Sequence, residues 1–147
     1  MREINKLIIH CTASDVSVHD MDAIKYLRKW HVEANGWNDI GYHFCISKTN
    51  GIQFCRPIKL IGAHTHGENE DSIGIVLTGN EVFSQSQFKN LEELCAVLCF
   101  IYELDETAIF PHSHFNKGKT CPNFAIEPIR WSVKKILSNK RESYGLS

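Results

Sequence analysis

Two runs, residues 7–12 (LIIHCT) and 73–78 (IGIVLT), are apolar at almost every position and too short for an ordinary helix. Runs of this kind read as buried strands. Between and beyond them the apolar spacing changes to three or four. Met21, Ile24, Leu27, Trp30 and Ala34 share one helical face, with Asp20 placed to cap the start and Gly36 to end the helix after Asn35. Residues 41–47 and 52–55 read as two strands of a hairpin, because Lys48-Thr49-Asn50-Gly51 carries the Asn-Gly turn signal. A second long helix starts at Ser84, where Ser84-Gln85-Ser86-Gln87 matches a capping box and Phe83 can staple onto Phe88. Leu91, Leu94, Cys95, Leu98, Ile101 and Tyr102 supply its buried face, to about residue 104. Residues 109–111 form a short last strand. Pro128 opens a final helix that runs to about residue 139 and carries Trp131 as a packing residue. Trp30 and Trp37, at helix edges, read as core aromatics. Strands alternating with helices predict an α/β layer fold.

A chain of 147 residues without repeats or linkers is one domain, spanning 1–147, and buries a core without staples. The net charge of -1 offers no basic field for nucleic acid or a membrane surface, so a partner must be held by local contacts. No stretch approaches the roughly 20 apolar residues of a membrane span. The apolar run at residues 7–9 is too short for the core of a signal peptide, so synthesis and folding in the cytoplasm are expected. In that reducing compartment the six cysteines are expected to stay thiols. Cys95 and Cys99 read as small buried hydrophobes, and Cys45 and Cys55 can face each other across the hairpin.

The chemistry concentrates in four places: His10 at the end of the first strand, Gly41-Tyr42-His43-Phe44, the loop with His64 and His66, and the segment from His112 to Cys121. His10, His112 and Cys121 would make a zinc triad of two imidazoles and a thiolate, with the fourth position left for water. No Cys-x-x-Cys pair supports a structural zinc site. Spacing alone does not single out this triad, because eight histidines offer many triplets and a lone strand histidine is more often a core or surface residue.

The segments IIHCTAS (8–14), Trp30-His31 on its helix, GWNDIGYHF (36–44), GAHTHGENEDSIGIVLTG (62–79) and KTCPNF (119–124) occur in this order. With them the chain, from about residue 4 to 138, resembles the N-acetylmuramoyl-L-alanine amidases of the phage T7 lysozyme type, relatives of the peptidoglycan recognition proteins. The resemblance implies a single central mixed β-sheet flanked by helices, with a zinc cleft on one side. It implies Zn2+ held by His10, His112 and Cys121, and Tyr42 and Lys119 as catalytic helpers. It implies His64 as a substrate-contacting cleft residue, with Trp37 and Thr120 as further cleft positions. The sequence departs from the family in reading Pro111-His112-Ser113-His114 where Gly-His-Arg-Asp/Glu is usual, which makes His114 a rival ligand. His112 is preferred: its spacing of nine to Cys121 is one longer than in the phage enzyme of the family, and the extra residue fits in the loop at 116–118. No carboxylate among Glu33, Glu68, Glu70 and Asp71 belongs to a recognisable catalytic motif.

The implied activity is hydrolysis of the amide between N-acetylmuramic acid and L-alanine in peptidoglycan, as in a phage or prophage endolysin that reaches the wall through a separate pore. A monomer with peptidoglycan as its partner, and with neither nucleic acid nor membrane insertion, is expected. Three alternatives stand beside this: a non-catalytic peptidoglycan-binding module, a cytoplasmic amidase that recycles muropeptides, and a regulatory protein acting through its surface. The intact His10, His112 and Cys121 set favours an enzyme over the binding module.

Overall fold

The computed structural model describes residues 1–14 and 23–145. The strands among them are β1 (Lys6–Cys11), β2 (Phe44–Ser47), β3 (Gly51–Phe54), β4 (Ser72–Leu77) and β5 (Ile109–Pro111). They form one mixed sheet in the order β3-β2-β4-β1-β5, in which the β2–β3 hairpin is antiparallel and the other pairs are parallel. The helices are α1 (Ala23–Arg28), which continues as a wide π-helical turn over Lys29–Ala34, then α2 (Gln85–Ile101), the short α3 (His112–Phe115) and α4 (Glu127–Ser143).

Alternation along the strands sorts side chains onto two faces. Leu7 and Ile9 of β1, Phe44 and Ile46 of β2, and Ile73, Ile75 and Leu77 of β4 share a core with Leu91, Leu94, Cys95 and Leu98 of α2 and Ile129, Val133 and Leu137 of α4. On the opposite face Cys45 and Val76 pack with Ala23 and Leu27 of α1 and with Ile40. His10 pairs in register with Val76, and Val76 with Cys45, so His10 points to this second face, which holds the site. The sheet is thus buried on both sides, which accounts for the unbroken apolar runs of β1 and β4.

The helix start at Ser84 is as expected: its hydroxyl accepts from the Gln87 N–H at 3.2 Å, and Gln87 Oε1 accepts from the Ser84 N–H at 2.9 Å. Phe83 meets Phe88 at 6.0 Å between ring centroids. The six cysteines, all among the described residues, are thiols, and Cys95 and Cys99 are buried as expected.

Several expectations need correction. Asp20 and Met21 lie outside the described residues. In α1 the inward face is Ala23, Leu27 and His31, whereas Trp30 is 44% exposed. Apolar spacing favoured Trp30, but the wide turn after Arg28 brings a histidine inward instead. Trp37 is 39% exposed, and Trp131 is 63% exposed with Lys135 Nζ 4.3 Å from its ring centroid, so neither is a core residue. β2 starts at Phe44 rather than at residue 41. Gly41 instead makes a close backbone approach: a Cβ there would sit 2.1 Å from the Ala63 carbonyl oxygen.

His43 links β4 to the segment before it. Its Nδ1 accepts from the Gly74 N–H at 3.0 Å, so Nε2 carries the proton and donates to the Leu60 carbonyl at 2.9 Å. Burial, with the charges of Arg2 and Arg56 adding to it, lowers the His43 pKa from 6.5 to about 4. The unfolded chain therefore binds a proton that the folded chain refuses between those values, and stability is lost as pH falls through that window, by about 1.4 kcal/mol per pH unit at most. His43→Asn, which does not titrate there, is expected to flatten the dependence of the urea midpoint on pH between 6.5 and 4; an unchanged slope would show that His43 is not its source. Ser84→Ala is expected to cost about 1 kcal/mol in the same assay.

Candidate metal centre

The pairing of β5 with β1 creates the site. Leu7 lies beside Ile109, Ile8 beside Phe110 and Ile9 beside Pro111. Continued by one residue, this register sets His112 beside His10, and their ring centroids are 4.4 Å apart. His112 opens α3 directly after the strand. The chain then turns through the loop at 116–120 and returns, with the Ser113 N–H donating to the Cys121 carbonyl at 3.0 Å. Cys121 Sγ accepts from the Cys11 N–H at 3.0 Å, which fixes the sulfur at the end of β1.

One ligand atom from each of His10, His112 and Cys121 lies within 4.8 Å of the others. His114 does not join them. It is exposed, and its ring packs on Phe110 at 5.0 Å and Phe115 at 4.8 Å. The rival assignment that sequence spacing left open therefore has no geometric support.

The electrostatics suit a cation. Burial, then the neighbouring His64 and His112, drive the His10 pKa well below its ordinary value. Burial and the charge of Lys119 lower that of His112. Both rings are therefore neutral near pH 7, the form that donates a lone pair to a metal. Cys11 and Cys121 share a hydrogen bond, so the pair gives up its first proton more readily than an isolated thiol and resists losing the second. The hydrogen bond with Cys11 and burial raise the Cys121 thiol, against the lesser pull of the Cys11 backbone N–H and the Lys119 charge, so its thiolate is the form a cation would draw out. Two neutral imidazoles and a thiolate are a donor set for zinc, and three ligands leave room for water.

Around this set stand the other predicted residues. The Tyr42 ring lies 5.0 Å from His10, and burial, before the neighbouring thiols, pushes its phenol pKa above the ordinary value. Lys119 and Thr120 are exposed on the loop leading to Cys121. Trp37 lines a concavity of about 510 Å³ with Arg56, Leu60 and Ala63. His66 is exposed. Of the carboxylates, Glu68 and Asp71 both bind Lys6, at 2.9 and 2.7 Å, and Glu33 and Glu70 are exposed.

One supporting residue, named in the sequence only as part of the Trp30-His31 motif, had no role assigned to it. His31 Nδ1 accepts from the Gly41 N–H at 2.9 Å, and its ring lies 4.7 Å from Trp37 and 5.3 Å from Tyr42. It thus fixes the backbone just before Tyr42. The signal was present, since His31 follows Leu27 by four, but a histidine does not register on an apolar stripe.

Residues 1–124 match the N-acetylmuramoyl-L-alanine amidase family. The chain is 31% identical over 139 residues to the endolysin of Escherichia phage T7, covering 89% of this chain and 87% of that one. It is 30% identical over 145 residues to the endolysin of Klebsiella phage KP32, covering 92% and 90%. Among solved structures, the amidase LysC of Clostridium intestinale superposes with a TM-score of 0.76 at 25% identity, covering 99% of this chain and 88% of that one. A tyrosine-to-phenylalanine mutant of Drosophila PGRP-LB, in complex with tracheal cytotoxin, superposes with a TM-score of 0.71 at 26% identity, covering 83% and 76%. With its mixed sheet and its His-His-Cys cluster, the chain belongs to the N-acetylmuramoyl-L-alanine amidase family.

Proposed function

We propose that this chain is a zinc-dependent hydrolase of the amide between N-acetylmuramic acid and L-alanine in peptidoglycan, and that it works as a phage or prophage endolysin. The observation that carries the reading is the convergence of His10, His112 and Cys121 donor atoms within 4.8 Å. Three ligands with an open fourth position distinguish a catalytic zinc from a structural one. The similarity to phage endolysins over most of both chains supports the choice of substrate.

When bound, zinc supplies Lewis-acid polarisation and a water nucleophile near neutral pH. The chain's own residues supply the rest. Attack on an amide carbon puts negative charge on the carbonyl oxygen, and donors placed beforehand stabilise it. Tyr42 stays protonated at neutral pH because burial disfavours the phenolate, so its hydroxyl is a donor rather than a base. Lys119 brings a full positive charge from the loop that carries Cys121. The departing L-alanine nitrogen needs a proton, and Lys119 Nζ is the group assigned to deliver it, while the Tyr42 hydroxyl keeps its proton and donates a hydrogen bond to the oxyanion. Trp37 and Thr120, with the accessible edge of His64, are assigned to the walls that hold the glycan and stem peptide. The enzyme reaches the wall through a separately encoded pore and acts as a monomer.

The direct test uses purified sacculi. Wild type is expected to contain about one zinc per chain and to release new L-alanine amino termini, while Cys121→Ala loses both properties. Full clearing by Cys121→Ala would end the zinc mechanism. Muropeptide binding without release by wild type would point to a binding module, and activity confined to soluble muropeptides to a recycling amidase. Tyr42→Phe is expected to lower kcat by roughly 100-fold with KM little changed; unchanged turnover would remove Tyr42 from the scheme. Lys119→Met is expected to act in the same direction, read in the same kinetic assay.

A further inference from the structure

His10 is held from behind by a buried chain of polar groups. Its Nε2 lies 3.0 Å from His64 Nδ1 and 3.3 Å from Thr65 Oγ1. Thr65 Oγ1 is itself 3.0 Å from His64 Nδ1, and the far nitrogen of that ring, Nε2, is 3.2 Å from Ser72 Oγ. Thr65 is only 3% exposed, and Ser72 is buried at the start of β4.

Two further features fix this arrangement. Asn69 Oδ1 accepts from the backbone N–H groups of both His64, at 3.0 Å, and Thr65, at 2.9 Å, so the loop presents the two side chains together. The His64 ring also lies directly over Gly74 of β4, where a Cβ would come within 2.6 Å of ring atoms. The strand leaves that space to the imidazole.

We propose that Thr65 and His64 are positioning residues for His10, holding its ring by Nε2 so that Nδ1 faces the metal. The inference rests on the zinc reading above. The chain of groups can carry its protons in two directions. In one, the Ser72 hydroxyl donates to His64 Nε2, His64 Nδ1–H donates to His10 Nε2, and His10 keeps its proton on Nδ1, where it blocks a metal. In the other, His10 Nε2–H donates to His64 Nδ1 and Thr65 Oγ1, which lie 3.0 and 3.3 Å away, the Thr65 hydroxyl donates to His64 Nδ1, and His64 Nε2–H donates to Ser72 Oγ. Only the second leaves a lone pair on His10 Nδ1. Thr65 reinforces it, because a hydroxyl accepts from one ring and donates to the other at the same time. An imidazole that donates its second N–H in this way is oriented and made a better ligand.

The test measures metal binding rather than turnover. Zinc is stripped from the full chain, and its affinity is measured by competition with a chromophoric chelator. The absorption of the cobalt form is recorded in parallel. Thr65→Val keeps the shape and removes the hydroxyl. It is expected to bind zinc about 10- to 100-fold more weakly and to shift the cobalt spectrum, in a metal-free protein that still unfolds cooperatively, at a lower temperature because a buried hydrogen-bonding group is gone. Thr65→Ser is expected to restore both readings. Ser72→Ala, which removes only the far end of the chain, is expected to weaken zinc in the same direction by less, and it carries the test if Thr65→Val does not fold. Wild-type zinc affinity and spectrum in Thr65→Val, or in Ser72→Ala if that variant stands in, would overturn the positioning role alone. A wild-type chain that takes up no zinc would overturn the metal reading itself.

Discussion

The register of β5 on β1 decides whether this molecule has a centre at all. Three residue pairs define it, from Leu7 with Ile109 to Ile9 with Pro111. The residues that follow, His10 and His112, meet because the strands run parallel and end together. A slip of one residue would bring Ser113 or Pro111 beside His10 instead, and would turn β5 side chains to the wrong face. Nothing polar in the three pairs enforces the register. It is held by burial: Leu7, Ile9 and Ile109 belong to one core with α2 and α4, and Arg130 of α4 donates to the Ile109 carbonyl from two nitrogens, at 2.9 and 2.6 Å. The apolar layer on one face of the sheet thus sets the chemistry on the other.

On the site face, histidine does a second kind of work. His31, His43 and His64 are folded around the centre, and none belongs to the convergent ligand set. His31 and His43 each accept a backbone N–H, from Gly41 and from Gly74. All three have pKa values lowered first by burial, to about 4 for His43 and about 3 for His64. A neutral imidazole offers one donor and one acceptor at fixed points on a rigid ring, so it can join two segments that no secondary structure connects. His43 and His64 tie the irregular segments at 36–43 and 60–71 to β4, and His31 ties the first of them to the turn that continues α1.

Much of the architecture was legible in the sequence, and the reason is particular to its elements. β1 and β4 announced themselves because a sheet covered on both faces needs apolar residues at every position. Ser84 and Gln87 announced α2 because a capping box is a local device. What stayed hidden depends on tertiary context. The π-helical turn after Arg28, the inward His31 and the exposed Trp131 follow from how α1 and α4 meet the sheet, which spacing does not encode. Nor does spacing distinguish His112 from His114; the parallel register does. The triad itself was legible through ordered motifs rather than through physics, since eight histidines make chance triplets plentiful. The outer partners of His10 were not legible, because Thr65 and Ser72 carry no mark of their role until a fold buries them.

The sulfur of Cys121 rests on the backbone of Cys11, across 110 residues of sequence. An ion cannot draw such distant groups together cheaply, since closing so long a loop is costly before any bond forms. The order of events during biosynthesis follows. While the ribosome is still adding the last third of the chain, only one of the three donors has been made. The cluster is completed late, when β5 docks with His112 behind it and the loop that follows returns Cys121 to the end of β1.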